Sequence, residues 1–163
     1  MPAPFRIYRI LCSTPPDLET ERLIFESTLV SFAEHRTFPR QVLFAGASFR
    51  PKFDADRHRA VGEANVRQCD FFLHIFSGTW PGTAFQAFID LAQACTDDPS
   101  MPMRQIAVLF KNFGEADESV RKFRDSLIGA CKCDVREFQD TVELDRLLVD
   151  IFASWWESVQ AEP

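Results

Sequence analysis

The sequence lacks an apolar run long enough to cross a membrane. A membrane-spanning helix needs about 18 consecutive apolar residues, and every apolar stretch of this chain is interrupted earlier. The opening segment MPAPFRIYRI also lacks the apolar core of a signal peptide. We therefore expect a cytoplasmic protein without a membrane partner.

Cysteine and histidine are too few and too scattered to form a metal centre or a disulfide framework. There are five cysteines and three histidines. Cys131 and Cys133 form an isolated pair, with no second pair and no histidine nearby to complete the roughly four ligands of a zinc site. The odd cysteine count favours reduced thiols. We expect no metal and no cofactor, and we interpret His74, which falls within a strand pattern, as a core histidine.

Positive charge is also scarce, since the formal net charge is −6. An acidic chain repels phosphate backbones, which argues against nucleic acid as a partner. Basic residues do cluster in one segment, which reads either as a solvated loop and helix start or as a local basic site. The cluster comprises Arg50, Lys52, Arg57, His58 and Arg59.

Tyrosine is nearly absent, with one residue against 17 phenylalanines. This bias indicates thick apolar layers rather than a polar recognition surface. The adjacent Trp155 and Trp156 continue a leucine and phenylalanine pattern at helical spacing, so we interpret them as packing residues.

Short apolar runs alternate with amphipathic stretches along all 163 residues, which suit one domain spanning 1–163. This alternation predicts an α/β fold with a parallel sheet covered on both faces. We predict a flavodoxin-like three-layer sandwich with five parallel strands in the order 2-1-3-4-5. The predicted strands are Arg6–Cys12, Arg40–Ser48, Asp70–Ser77, Arg104–Phe113 and a short fifth strand in CDVREF.

In such a sheet, ligands bind beyond the carboxyl ends of the strands, between the first and third strands. The residues that we expect to line this crevice lie in the loops that follow the first three strands. They are Ser13, Thr14, Ser48, Gly78, Trp80, Gly82 and Thr83.

Several crevice residues also have simpler explanations. Thr14 is suited either to cap the first helix or to bind an anion at its amino terminus. Thr83 and Gln86 have the spacing of a capping box for the third helix. Glu21 and Arg22 read as a surface charge pair of little energetic weight.

The segment CSTPPDLETER, from Cys12 to Arg22, resembles the signature of a TIR-like domain family of unknown function. In that signature Ser-Ser-Thr is followed at fixed spacing by Asp-Leu and Glu-Arg, and here only the first serine is replaced, by Cys12. Members often stand at the amino terminus of signalling NTPases. The resemblance implies a signalling or sensor domain that binds a nucleotide or a protein partner, or associates with itself.

The segment SGTWPGTAFQAFIDLAQA looks, more distantly, like the loop and helix of nucleoside 2-deoxyribosyltransferases. In those enzymes a glutamate at the start of this helix acts on an N-glycosidic bond. The resemblance puts that glutamate at Gln86, and a neutral amide supplies neither a nucleophile nor negative charge beside a developing cation. Asp90, four residues further on, shares the helix face and is the substitute candidate.

Two functions therefore remain open at this point. The first is a TIR-like nucleotide-binding or protein-interaction module without catalysis, which the loss of the glutamate favours. The second is an N-glycosidase or deoxyribosyltransferase acting on NAD or nucleosides, which the preserved loop favours. A flavin-binding or response-regulator domain ranks last, because no acidic pair follows the first strand to hold Mg²⁺.

Overall fold

The structure is a computed structural model that describes residues 3–49, 55–130 and 133–163. Arg50, Lys52 and Cys131 lie outside these ranges, as do the side chains of Arg57, His58 and Thr83. The sheet has five parallel strands in the order β2-β1-β3-β4-β5, which confirms the predicted flavodoxin-like α/β architecture. The strands are β1 Arg6–Ser13, β2 Val42–Phe49, β3 Phe71–Phe76, β4 Gln105–Lys111 and β5 Asp134–Phe138.

In the described part of the chain, five α-helices cover the two faces of the sheet. One apolar layer joins α1 and α5 to the sheet, and the other joins α2, α3 and α4 to its opposite face. Every residue of β3 is buried, as expected for the middle strand of a parallel sheet. The helices are α1 Glu19–Phe32, α2 Ala55–Gln68, α3 Thr83–Asp97, α4 Glu118–Ala130 and α5 Thr141–Gln160.

Aromatic side chains fill both layers. Trp155 stacks on Phe71 with ring centroids 4.7 Å apart, and Trp156 meets Phe44 edge-on, so both tryptophans are packing residues as predicted. On the opposite face, Phe76 stacks on Phe110 with centroids 5.2 Å apart. Aromatic pairs of this geometry add to the stabilisation that burial alone provides.

The predicted start of the first helix is wrong. α1 begins at Glu19, not beside Thr14, because Pro15 to Leu18 form a separate turn in which the Leu18 N–H donates to the Pro15 carbonyl. No side chain caps α1. In α3 the capping position belongs to Gly82, one residue before the predicted cap Thr83, whose side chain lies outside the described residues.

The helices of the described residues differ from membrane spans in length or in polarity. None of them is long and apolar enough to cross a bilayer.

Candidate functional site

The carboxyl ends of β1 and β3 bring two polar side chains together. Ser13 lies opposite His74 in the parallel register. Residues alternate between the two faces along a strand, so both side chains point to the face that α3 covers, on which Leu11 and Phe72 also lie. The His74 ring contacts Phe76 and, on α3, Phe85, with centroid distances of 4.2 and 5.1 Å.

These polar groups are buried without hydrogen bonds. Ser13, Thr14 and His74 are 1%, 0% and 0% exposed. Neither hydroxyl and neither ring nitrogen of His74 has a hydrogen-bond partner among the described residues. Buried polar side-chain atoms nearly always have a partner in folded proteins, so three unpaired residues at one edge of the sheet need an explanation.

Burial also determines the charge of His74. Desolvation lowers the pKa of the imidazole from its ordinary value of 6.5 to about 3, so the ring is neutral at physiological pH. A neutral imidazole offers one N–H donor and one acceptor nitrogen. Sequence reasoning treated His74 as a core residue and missed it as a site candidate. The available signal was a single histidine within FFLHIF, the most apolar strand of the chain.

Ser48, the candidate from β2, is engaged in a polar network with α1. Its hydroxyl donates to Glu26 Oε1 over 2.9 Å, and Arg22 Nη1 donates to the same oxygen over 2.5 Å. Arg22 also pairs with Glu19. Ser48 and Arg22, the basic residue of the signature, are therefore held by carboxylates of α1, and they are not free groups in an open crevice.

Glu21 is not the surface charge that its sequence suggested. Only 4% of its side chain is exposed, and it pairs with Lys111 at the end of β4, with Nζ and Oε1 2.5 Å apart. The Lys111 side chain is half-buried, and its removal would leave the buried Glu21 carboxylate uncompensated, which destabilises a fold more than loss of a surface pair does. Glu21 thus ties the start of α1 to the carboxyl edge of the sheet.

The loop after β3 is fixed to the start of α4 by Asp117. The Trp80 N–H donates to Asp117 Oδ2 over 2.9 Å, and the Asp117 N–H donates to the Gly78 carbonyl over 2.8 Å. Hydrogen bonds from the N–H groups of Val120 and then Trp80 lower the pKa of Asp117. Gly82 has φ +106°, a conformation that side-chain-bearing residues rarely adopt.

Trp80 and Gln86 lie together, on the α4 side of α3. They line a cavity of about 350 Å³ with four residues of α4, which are Ser119, Lys122, Phe123 and Ser126. Gln86 is exposed, whereas the preceding residue, Phe85, is buried against His74. Asp90 is exposed as well. The structure therefore brings Trp80 and Gln86 into one group and Ser13 and His74 into another.

The described residues hold no cluster of three or more histidine, cysteine, aspartate or glutamate side chains placed to bind a metal ion. The polar groups at the carboxyl edge that have no partner are the hydroxyls of Ser13 and Thr14 and the neutral imidazole of His74. Such groups suit hydrogen bonding to an uncharged polar ligand, and hydroxyls of a sugar are one example of that chemistry.

Comparison with known proteins gives fold similarity alone. No family model and no curated protein matches this chain. Among solved structures, it resembles translation elongation factor SelB from Methanococcus maripaludis in complex with the GTP analogue GPPNHP, with a TM-score of 0.52 and 11% identity over 94% of this chain. It also resembles the Flv1 flavodiiron core from Synechocystis sp. PCC6803, with a TM-score of 0.50 and 12% identity over 93% of this chain.

The chain spans 35% and 36% of the lengths of these two proteins. A quinone reductase that uses NADPH, from P. pentosaceus, matches over 91% of this chain and 96% of its own, with a TM-score of 0.42 and 8% identity. Identities this low carry no information about activity or ligand. What the comparisons establish is an α/β fold of the flavodoxin-like type.

Proposed function

We propose that this chain is a TIR-like module that binds a nucleoside-containing ligand at the carboxyl ends of β1 and β3 and does not cleave it. The observation that carries the proposal is the set of buried, unpaired polar groups of Ser13, Thr14 and His74. A ligand that supplies hydroxyl groups would satisfy them. Their location, between the first and third strands of the sheet, is where parallel α/β folds bind ligands.

The charges around this point favour the sugar of the ligand over its phosphate. The first turn of α1 carries Glu19 and Glu21, and these carboxylates already pair with Arg22 and Lys111, so neither cation is left free for an anion at that helix terminus. His74 is neutral and adds no positive charge. Ser13, Thr14 and His74 together offer donors and acceptors without net charge, as a ribose requires.

The position of Gln86 supports binding without catalysis. Cleavage of an N-glycosidic bond needs a carboxylate beside the sugar, either as a nucleophile or to stabilise positive charge. Gln86 is an amide, and it lies with Trp80 on the α4 side of α3. Asp90 is exposed one turn further along α3. Neither residue is in the group formed by Ser13 and His74.

Residues of the signature make buried contacts and ion pairs at the start of α1, and this structural role is the support that they give to the TIR-like part of the proposal. Leu18 is buried in the layer of α1 and α5, Glu21 pairs with Lys111, and Arg22 joins Glu19 to Glu26. Cys12, which replaces the first serine, is fully buried, and burial raises the pKa of its thiol far above the usual range. A thiol of this kind is not a nucleophile at neutral pH.

Isothermal titration calorimetry with adenosine, adenine and NAD tests the binding function. We expect adenosine and NAD to bind and adenine to bind more weakly, because it lacks the ribose. Ser13→Ala should weaken adenosine binding by about threefold to tenfold, the usual worth of one neutral hydrogen bond. Ser27→Ala, at an exposed hydroxyl of α1 that bonds only to the Ile24 carbonyl, is the matched control and should leave affinity unchanged.

The free energy of unfolding of Ser13→Ala distinguishes a role of Ser13 in binding from a role in stability. The Ser13 hydroxyl has no partner in the protein, so Ser13→Ala should leave the free energy of unfolding equal or higher. A loss of stability with unchanged affinity would contradict the proposal. Binding of none of the three compounds would also reject it, and the protein-interaction alternative would then be preferred.

Catalysis is tested by incubating the protein with NAD and nucleosides and measuring base release by chromatography. We expect none from the unaltered protein and none from Gln86→Glu, because Gln86 is exposed and lines the cavity with α4, whereas the neighbouring Phe85 is the residue that contacts His74. Release by the unaltered protein would favour the N-glycosidase alternative. Release by the variant alone would show that residue 86 does reach the bound sugar.

A further inference from the structure

A second cavity lies at the opposite, amino-terminal edge of the sheet, where β2 begins. It is enclosed by the end of α1, the segment that follows it and the last turns of α5, and its volume is about 410 Å³. This is within the range of small-molecule sites. Phe32 and Trp156 form an aromatic part of its wall, and both are buried against Phe44.

The backbone that forms one wall departs from a regular α-helix. After α1 the chain widens into a π-helix, Ala33–Thr37, and then narrows into a 3₁₀ turn, Phe38–Arg40. Gln41 ends this turn with φ 59°, in the left-handed region. Such departures are rare and are concentrated at functional sites. Here their result is that Arg36 and Arg40 both line the cavity.

Both arginines of this cavity are available to bind an anion. Arg36 and Arg40 are exposed, and neither forms a salt bridge with another described residue. Five of the ten other arginines whose side chains the structure describes, among them Arg22 and Arg136, are paired with carboxylates. Glu157 is the one carboxylate among the described residues that line the cavity, so the local balance of arginine and glutamate is positive.

We propose that this cavity binds a small organic oxyanion, with its carboxylate or phosphate group held by Arg36 and Arg40 and its apolar or aromatic body against Phe32 and Trp156. Guanidinium groups bind both kinds of oxyanion through paired, charge-assisted hydrogen bonds. Cations also interact favourably with aromatic faces, which suits a wall of mixed arginine and tryptophan. This site is separate from the one at the carboxyl edge and does not depend on the nucleoside ligand.

Titration followed by NMR tests the proposal with phenyl phosphate and benzoate, which join a planar ring to either oxyanion. Benzyl alcohol is the uncharged control. We expect both anions to shift the indole N–H signal of Trp156 saturably and benzyl alcohol to leave it unchanged. Arg36→Gln and Arg40→Gln should each weaken binding by about tenfold, as expected for loss of one charge-assisted hydrogen bond.

Two further variants make the outcome decisive. Arg59→Gln removes an exposed arginine of α2 that pairs with Glu63, and it should leave the affinity unchanged. Ala153→Leu fills the cavity without altering charge and should abolish binding. The proposal fails if neither anion binds at millimolar concentration, if benzyl alcohol binds as tightly as they do, or if Arg59→Gln weakens binding as much as Arg36→Gln.

Discussion

At the scale of single residues, the carboxyl edge of the sheet combines well-paired charges with unpaired neutral groups. Glu21 is buried with Lys111 as its partner, whereas Ser13 and His74 are buried with no partner in the described chain. An unsatisfied buried polar group destabilises a protein by about 1–3 kcal/mol. The two classes therefore act in opposite directions on stability, and the neutral groups are the ones that a ligand can satisfy.

His74 should make the fold sensitive to acid. Its pKa in the folded protein, about 3, lies below the ordinary value of 6.5. Above pH 6.5 the residue is neutral in both states, so it adds nothing to the pH dependence of the free energy of unfolding. As pH falls from about 6.5 to about 3, the unfolded state binds a proton that the folded state excludes. The free energy of unfolding should then fall by about 1.4 kcal/mol per pH unit.

The measurement is urea unfolding at a series of pH values, with the unaltered protein and His74→Phe compared. Phenylalanine suits a site bounded by Phe72, Phe76 and Phe85. Carboxylates contribute to both curves, so the difference between the curves isolates His74. Parallel curves between pH 6 and 3 would show that the imidazole is not excluded from water.

At the scale of elements, the loop after β3 and the start of α4 act as one unit through Asp117. Its two carboxylate oxygens accept hydrogen bonds from the N–H groups of Val120 and Trp80, which belong to different elements. The pKa of Asp117 is lowered by these bonds. Their contribution to stability is therefore complete at neutral pH and is lost as pH falls through the lowered pKa.

Asp117→Ala should release this loop while the sheet remains intact. We expect faster hydrogen exchange at the amides of Trp80 and Val120, because both lose their acceptor. Asp98→Ala is the matched control, since Asp98 accepts from Ser100 in the turn after α3 and its pKa is also lowered. Equal protection of Trp80 in both variants would show that Asp117 does not hold the loop.

Sequence patterns predicted which strands and helices form. They did not predict where α1 begins or which side chains of a helix face a given neighbour. The alternation of apolar strands with amphipathic helices predicted five parallel strands and their order, because right-handed crossovers leave few arrangements. The start of α1 was misplaced, because Pro15 and Pro16 form a turn of their own and not the first helical turn. Gly82 caps α3 instead of the neighbouring Thr83, and capping preferences do not separate the two because glycine and threonine are nearly equal as N-caps.

The site was harder to predict than the fold for a similar reason. A register difference of one residue on α3 separates Phe85, which contacts His74, from Gln86, which faces α4. Sequence similarity in a loop without a rigid anchor does not determine helix facing to this accuracy. The Glu21–Lys111 pair joins residues far apart in the chain, so no local pattern indicates it.

At the scale of the whole molecule, the sheet separates two aromatic layers that contain different tryptophans. Trp155 and Trp156 belong to the layer of α1 and α5, and Trp80 packs against the layer of α3 and α4. Each layer therefore carries its own fluorescent reporter. Because β3 is buried on both faces, the two layers share this strand and should unfold together.

Two variants that retain different tryptophans test this expectation. In each variant, we expect tryptophan fluorescence and circular dichroism to give the same unfolding midpoint. Trp80→Phe leaves Trp155 and Trp156 as reporters of one layer, and the double variant Trp155→Phe, Trp156→Phe leaves Trp80 as the reporter of the other. Each fluorescence curve should coincide with the circular dichroism curve of the same variant in urea. A fluorescence transition that precedes the loss of helix in either variant would show that its layer unfolds alone.

The parallel order of the sheet also has a consequence for how the chain first acquires its structure. Ile10 pairs with Phe71, so the two inner strands meet only after the intervening α1, β2 and α2 have been made. The register of this sheet has no antiparallel hairpin in the described residues from which pairing could start locally. Folding of such non-local topologies is slow, because loop entropy is lost before the contacts form. On a ribosome, β1 and β2 would keep apolar surface uncovered until β3 has been synthesised. At this stage the chain would most need a chaperone.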